Sequence, residues 1–75
     1  MILSDIGTAV TITINGEVRE FGDSLSLPKL LEQIEMNPRL VAVEYNGEIL
    51  HRQFWVETKI KNGDRLEIVT IVGGG

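Results

Sequence analysis

Three consecutive glycines, Gly73, Gly74 and Gly75, carry the chemistry in this sequence that is hardest to set aside. Lacking Cβ, they make a slender backbone that tolerates almost any φ/ψ. Fully extended, they span about 10 Å. A tail of this kind can thread a narrow channel and place a terminal carboxylate, that of Gly75, in the active site of another protein. A side chain at any of the three positions would obstruct an approaching nucleotide or nucleophile. A free carboxylate is a poor electrophile, so reaction at Gly75 requires activation, for example as an acyl-adenylate. An idle flexible tail looks the same, and the glycines alone do not decide between the two.

The other reactive side chains are weaker candidates. The single histidine, His51, sits beside Arg52 in a predicted loop. With no second histidine and no cysteine, a metal would have to be held by carboxylates alone, and no Asp/Glu group has ligand spacing. An ordinary surface histidine is the expectation. Glu32 and Glu35 are three apart, as an acid pair could be, but they lie off the apolar stripe and read as a solvated helix face. Ser24 and Ser26 have no neighbouring histidine to activate them and are better read as helix caps. Asn15-Gly16, Asn46-Gly47 and Asn62-Gly63 are turn chemistry, since none has the glycine spacing of a phosphate loop. Phe21, Tyr45, Phe54 and Trp55 are expected in the core or at its edge. No catalytic site within the chain rises above these plainer readings.

Size and charge narrow the function classes. A chain of 75 residues makes one domain at most, and such a domain buries only about 60% of the surface its unfolded chain exposes. A deep substrate pocket would compete with the core for the same few side chains. Seven Lys and Arg against eleven Asp and Glu give a net charge of −4. The basic residues are scattered, which argues against nucleic-acid binding; a partner with a basic docking surface suits this charge better. Without cysteine there is no disulfide, thiolate nucleophile or cysteine metal site. "MILSDIGTAV" lacks a positive leader and carries Asp5 early, and no apolar run approaches the roughly 20 residues that span a bilayer. A cytoplasmic protein with no membrane association is expected.

The elements that must position the tail are legible from periodicity. In "VTITING", Val10, Ile12 and Ile14 alternate with threonines, Asn15-Gly16 supplies a type I′ turn, and "EVREF" returns as a second strand. In "GDSLSLPKLLEQIEMNP", Leu27, Leu30, Leu31 and Ile34 fall at i, i+3, i+4 and i+7, the stripe of an amphipathic helix. Ser24 or Ser26 caps it, Pro28 is tolerated in its first turn, and Asn37-Pro38 is expected to end it. "LVAVEYNGEIL" predicts a third strand, a second Asn-Gly turn and a fourth strand. "HRQFWVETKI" reads as a surface loop or short helical turn, "KNGDR" as a turn, and "LEIVTIV" as the last strand.

This order predicts an α+β fold: a mixed four- to five-stranded sheet with one main helix packed across one face. A right-handed crossover places later strands parallel to the first. The arrangement that best buries the helix stripe is a β-grasp, with the last strand central beside the first. Residues 1–72 are then one domain, 1–8 a loose extension, and 73–75 a flexible tail. In the last strand Leu66, Ile68, Thr70 and Val72 share one face, and Glu67, Val69 and Ile71 the other. With the helix covering Leu66 and Ile68, Val69 and Ile71 turn outward near the tail, a candidate docking patch unless "HRQFW" covers them.

Fold order and tail together resemble the ubiquitin-like sulfur carriers, and the sequence looks most like the ThiS family of thiamine biosynthesis. "TINGE" is similar to that family's opening hairpin, "LLEQI" to its helix and "VAVEYNGEIL" to its middle hairpin. "NGDRLEIVTIVGGG" is the most specific segment. The resemblance implies a carrier that catalyses nothing alone and has no cofactor of its own. A ubiquitin-activating-type (ThiF-like) enzyme would use ATP to adenylate the Gly75 carboxylate. A sulfur-donor protein would supply the atom that makes it a thiocarboxylate, and a ThiG-like thiazole synthase would take that sulfur. Gly73 and Gly74 would thread the partner's site. The family's minimal signature is Gly-Gly, and the third glycine is a departure.

Three alternatives share the tail. The small subunit of molybdopterin synthase typically approaches its Gly-Gly through a proline, which "TIVGGG" lacks. A sulfur carrier of another pathway is a second. A ubiquitin-like protein modifier joined to lysines through Gly75 is a third.

Overall fold

The computed structural model describes residues 9–22 and 25–71. The expectations placed on residues 1–8, on Ser24 and on residues 72–75 lie outside the described residues.

Strand β1 (Val10–Ile14) and strand β2 (Glu17–Phe21) form the opening hairpin, in register from Val10 opposite Phe21 to Ile14 opposite Glu17. Both turn residues have positive φ, +50° at Asn15 and +84° at Gly16, as a type I′ turn demands. Helix α1 (Leu27–Gln33) follows, then β3 (Val41–Tyr45), β4 (Glu48–Ile49) and β5 (Arg65–Thr70). The sheet order is β2-β1-β5-β3-β4, with β5 parallel to β1 and antiparallel to β3. This is the expected β-grasp, with the last strand at the centre.

Helix α1 has seven residues, too few to hold together alone in water. Burial holds it. Leu27, Leu30 and Leu31 are fully buried against Ile12, Val43 and Leu66 of the sheet's inner face, each contributing roughly 1.5–3 kcal/mol by leaving water. Ser26 is the N-cap, its Oγ accepting from the Lys29 amide at 3.4 Å, and Pro28 sits in the first turn where its missing N–H costs nothing.

The helix ends earlier than Asn37-Pro38. Glu35 takes a left-handed φ of +60°. Its amide donates to the Glu32 carbonyl at 3.0 Å, and the Met36 amide to the Leu31 carbonyl at 2.9 Å. These two bonds make a Schellman stop. Met36 then packs against the core, and Asn37 caps a separate 3-10 turn, Pro38–Leu40. Glu35 therefore lies beyond the helix and does not share a helix face with Glu32.

"HRQFWVETKI" does more than cross the surface. It makes a 3-10 turn at Arg52–Phe54, then sends Trp55 and Ile60 into the core. Its backbone grips the start of the helix: the Leu27 amide donates to Thr58 and the Ile60 amide to Leu25, at 3.0 and 2.8 Å. Of the four aromatic residues expected in the core or at its edge, Phe54 is the exception, at 43% exposed. The third Asn-Gly turn also differs from the others. Only Gly63 has positive φ, with the Asp64 amide returning to the Lys61 carbonyl at 3.0 Å, which is a type II turn.

Candidate functional site

Strand β5 carries the chain from the core to the end of the sheet. Leu66 and Ile68 point inward and are buried, while Glu67 and Val69 point outward. Val69 is 58% exposed and Ile71, just past the strand, 46%. The helix covers only the inner face, so the outer residues meet solvent. Val69 stands opposite Ala42 on β3, and Glu67 opposite Glu44, which in turn pairs with Ile49 of β4. Together these residues line a shallow, mostly apolar depression of about 180 Å³. Ile71 borders a second groove beside His51, Arg52 and Trp55, but that loop leaves it half-exposed. Gly73, Gly74 and Gly75 lie outside the described residues.

Side-chain amides that sequence reading assigned only to turns fasten β5 in place. Where β1 turns away after Ile14, the Asn15 side chain takes over its pairing role. Its Nδ2 donates to the Ile68 carbonyl at 3.0 Å and its Oδ1 accepts from the Ile68 amide at 2.7 Å. At the other edge, Asn46 Oδ1 accepts from the Arg65 amide at 2.8 Å. Asn62 Oδ1 accepts from the Thr11 amide at 2.7 Å. Each Asn-Gly asparagine thus satisfies backbone groups a strand lacks. Period and turn type do not reveal this, because the partners lie far away in sequence.

Beneath the start of β5, the buried Asp64 gathers the Tyr45 hydroxyl, the Asn46 amide at 3.2 Å and the Lys61 backbone N–H at 2.7 Å. Burial, and then the hydrogen bond and negative charge of Asp64, push the Tyr45 phenol up to about 12. The cluster is a structural brace: every buried side-chain polar atom among the described residues has a partner. On the outer face Glu44 and Glu67 are directly opposed, a like-charge pair that costs a few tenths of a kcal/mol in isolation.

The remaining candidates stay apart. His51, Glu32 and Glu35 are exposed on separate segments, and Ser26 is occupied as a cap. A larger open groove of about 730 Å³ runs by Pro28, Lys29, Met36 and Val56; it brings no nucleophile to a base. Among the described residues no three His, Asp or Glu side chains converge as metal ligands, and no helix is long and apolar enough to cross a membrane.

Comparison with known proteins agrees with this geometry. The ThiS family profile matches residues 12–75. The chain belongs to the ThiS family. Its fold matches the crystal structure of the thiamine biosynthesis protein ThiS from Geobacter metallireducens with a TM-score of 0.77, at 33% identity, covering 88% of this chain and all of that one. The sulfur carrier protein ThiS of Bacillus subtilis is 32% identical over 65 residues, 85% of this chain and 98% of the relative. A thiazole synthase from Paramagnetospirillum magneticum is 41% identical over 64 residues, which are 85% of this chain but only 20% of that protein. This ThiS-family chain is a sulfur carrier of thiamine biosynthesis, a class of small carrier and not of catalysts.

Proposed function

We propose that the chain carries sulfur as a thiocarboxylate on Gly75 and delivers it to thiazole formation. In the first step a Gly75 carboxylate oxygen attacks the α-phosphorus of ATP in a ubiquitin-activating-type (ThiF-like) enzyme. The bond to pyrophosphate breaks and an acyl-adenylate remains. In the second, sulfide-level sulfur from a donor protein attacks the acyl carbon, the bond to AMP breaks, and a thiocarboxylate forms. A ThiG-like thiazole synthase then takes the sulfur. The carrier needs no cofactor of its own, because ATP is bound by the partner. Residues 1–72 act as one cytoplasmic domain, and Gly73 and Gly74 thread the partner's site.

The observation that carries this reading is the position of β5. A strand locked between two neighbours brings the chain out beside an exposed apolar patch at Val69 and Ile71, so a partner docked on that patch meets the tail at a fixed place. The likeness of this chain to a fifth of a thiazole synthase supports that enzyme as the consumer of the sulfur. Fusion of two functions in one polypeptide is expected where the two must meet.

The test is the intact mass of the protein after incubation with ATP, a sulfide source and the adenylating enzyme. The expected result is an ATP-dependent gain equal to exchanging one oxygen for sulfur, localised to Gly75. Unchanged mass, with an enzyme active on another carrier, would refute the reading.

A further inference from the structure

The last described hydrogen bond before the glycines runs from the Ile71 amide to the Leu40 carbonyl, at 2.6 Å. Leu40 closes the short 3-10 turn Pro38–Leu40, which leads straight into β3. On either side of it, the carbonyls of Pro38 and Val41 accept from one side chain, the guanidinium of Arg52. Its Nη1 donates to Pro38 and its Nη2 to Val41, the latter at 3.4 Å. Arg52 also lies over the Trp55 ring, its Cζ 4.7 Å from the ring centroid. That ring is buried and pinned by its Nε1 donating to the Leu50 carbonyl at 2.9 Å. Ile71, Arg52 and Trp55 border the same groove.

We infer that Arg52 is a positioning residue for the sulfur-transfer tail. Clamped on Trp55, its fork fixes the Pro38–Val41 segment so that the Leu40 carbonyl is presented to Ile71, and this sets where the chain leaves the sheet. The role rests on the carrier reading given above. Arg52 is exposed, so its place is not set by burial in the core, and both hydrogen bonds of its guanidinium go to the segment Pro38–Val41. Its two acceptors flank the carbonyl that accepts from Ile71, the last of the described residues. A lysine could reach one carbonyl but could not span both or lie flat on the indole. With the brace gone, the exit is correctly placed only part of the time, and a partner that needs it placed binds with correspondingly lower apparent affinity.

The experiment compares the full chain with R52A, R52K and, as a neighbouring surface control outside that groove, Q53A. Amide exchange is read in the free protein, and KM and kcat for the carrier are read with the adenylating enzyme by pyrophosphate release. Expected for both Arg52 variants is roughly tenfold faster exchange at Ile71, with the Ile68 amide still protected. KM should rise about fivefold with kcat within about twofold, and Q53A should behave as wild type. If R52A also loses protection at Ile68, R52K, which keeps its stem against Trp55, carries the comparison. Unchanged Ile71 exchange in both variants would overturn the inference. So would an R52K with wild-type KM despite raised Ile71 exchange, since Arg52 would then act as a charge toward the partner. Should the wild-type chain not be adenylated at all, the carrier reading fails, while the exchange measurement still decides the brace.

Discussion

The side chain of Asn15 pairs in both directions with the backbone of Ile68, 53 residues away, and so acts as one extra link of strand β1. Breaking the link leaves an N–H and a C=O of the central strand without partners. N15G keeps the positive φ of the turn and loses only the clamp. It is expected to lower stability by about 1–2 kcal/mol in urea titration. N15A, which adds the cost of a left-handed alanine, should lose about 1 kcal/mol more. Equal stability of N15G and wild type would show the link to be idle.

Tyr45 gives the protein an alkaline limit. Its phenol is raised to about 12 in the folded state, against an ordinary 10. The unfolded chain therefore releases this proton first. The contribution to stability is complete below about pH 10 and is lost as pH rises from there through about 12. Tyr45 is the single tyrosine, so tyrosinate absorbance in the native protein reads this group alone. Y45F should be less stable near neutral pH, because Asp64 loses a donor. Its denaturation midpoint should also fall less steeply across that alkaline window than that of wild type.

Glu35 holds a left-handed conformation that suits glycine better. Its side chain is exposed, so nothing in the core is lost by removing it. E35G is expected to raise the urea midpoint, corresponding to about 1 kcal/mol. A decrease would mean that the Schellman stop does not strain the backbone at Glu35.

Val69 tests the outer face separately from the fold. V69T keeps the β-branched shape and faces solvent, so stability should stay within about 0.5 kcal/mol. If a partner buries this position, the added hydroxyl is desolvated, and KM for the carrier should rise roughly fivefold or more. Unchanged KM would place the docking surface elsewhere.

What the sequence by itself determined is local. The alternation of Val10, Ile12 and Ile14, the positive-φ turns at Asn15-Gly16 and Asn46-Gly47, and the stripe of Leu27, Leu30 and Leu31 each fix an element within a few residues. Their order leaves little choice but a central β5 beside β1. The outward facing of Val69 follows from the same alternation. What only the tertiary structure decided depends on groups far apart along the chain. Glu35, not Asn37-Pro38, ends the helix, because Met36 gains a place against the core. The loop from His51 sends Trp55 and Ile60 inward, where the short helix leaves the core open, while Phe54 remains outside. The asparagines of the turns, and Arg52 on Trp55, find backbone partners that no local pattern names. Periodicity records which side of an element is apolar; it does not record which distant carbonyl or amide would otherwise be left unpaired.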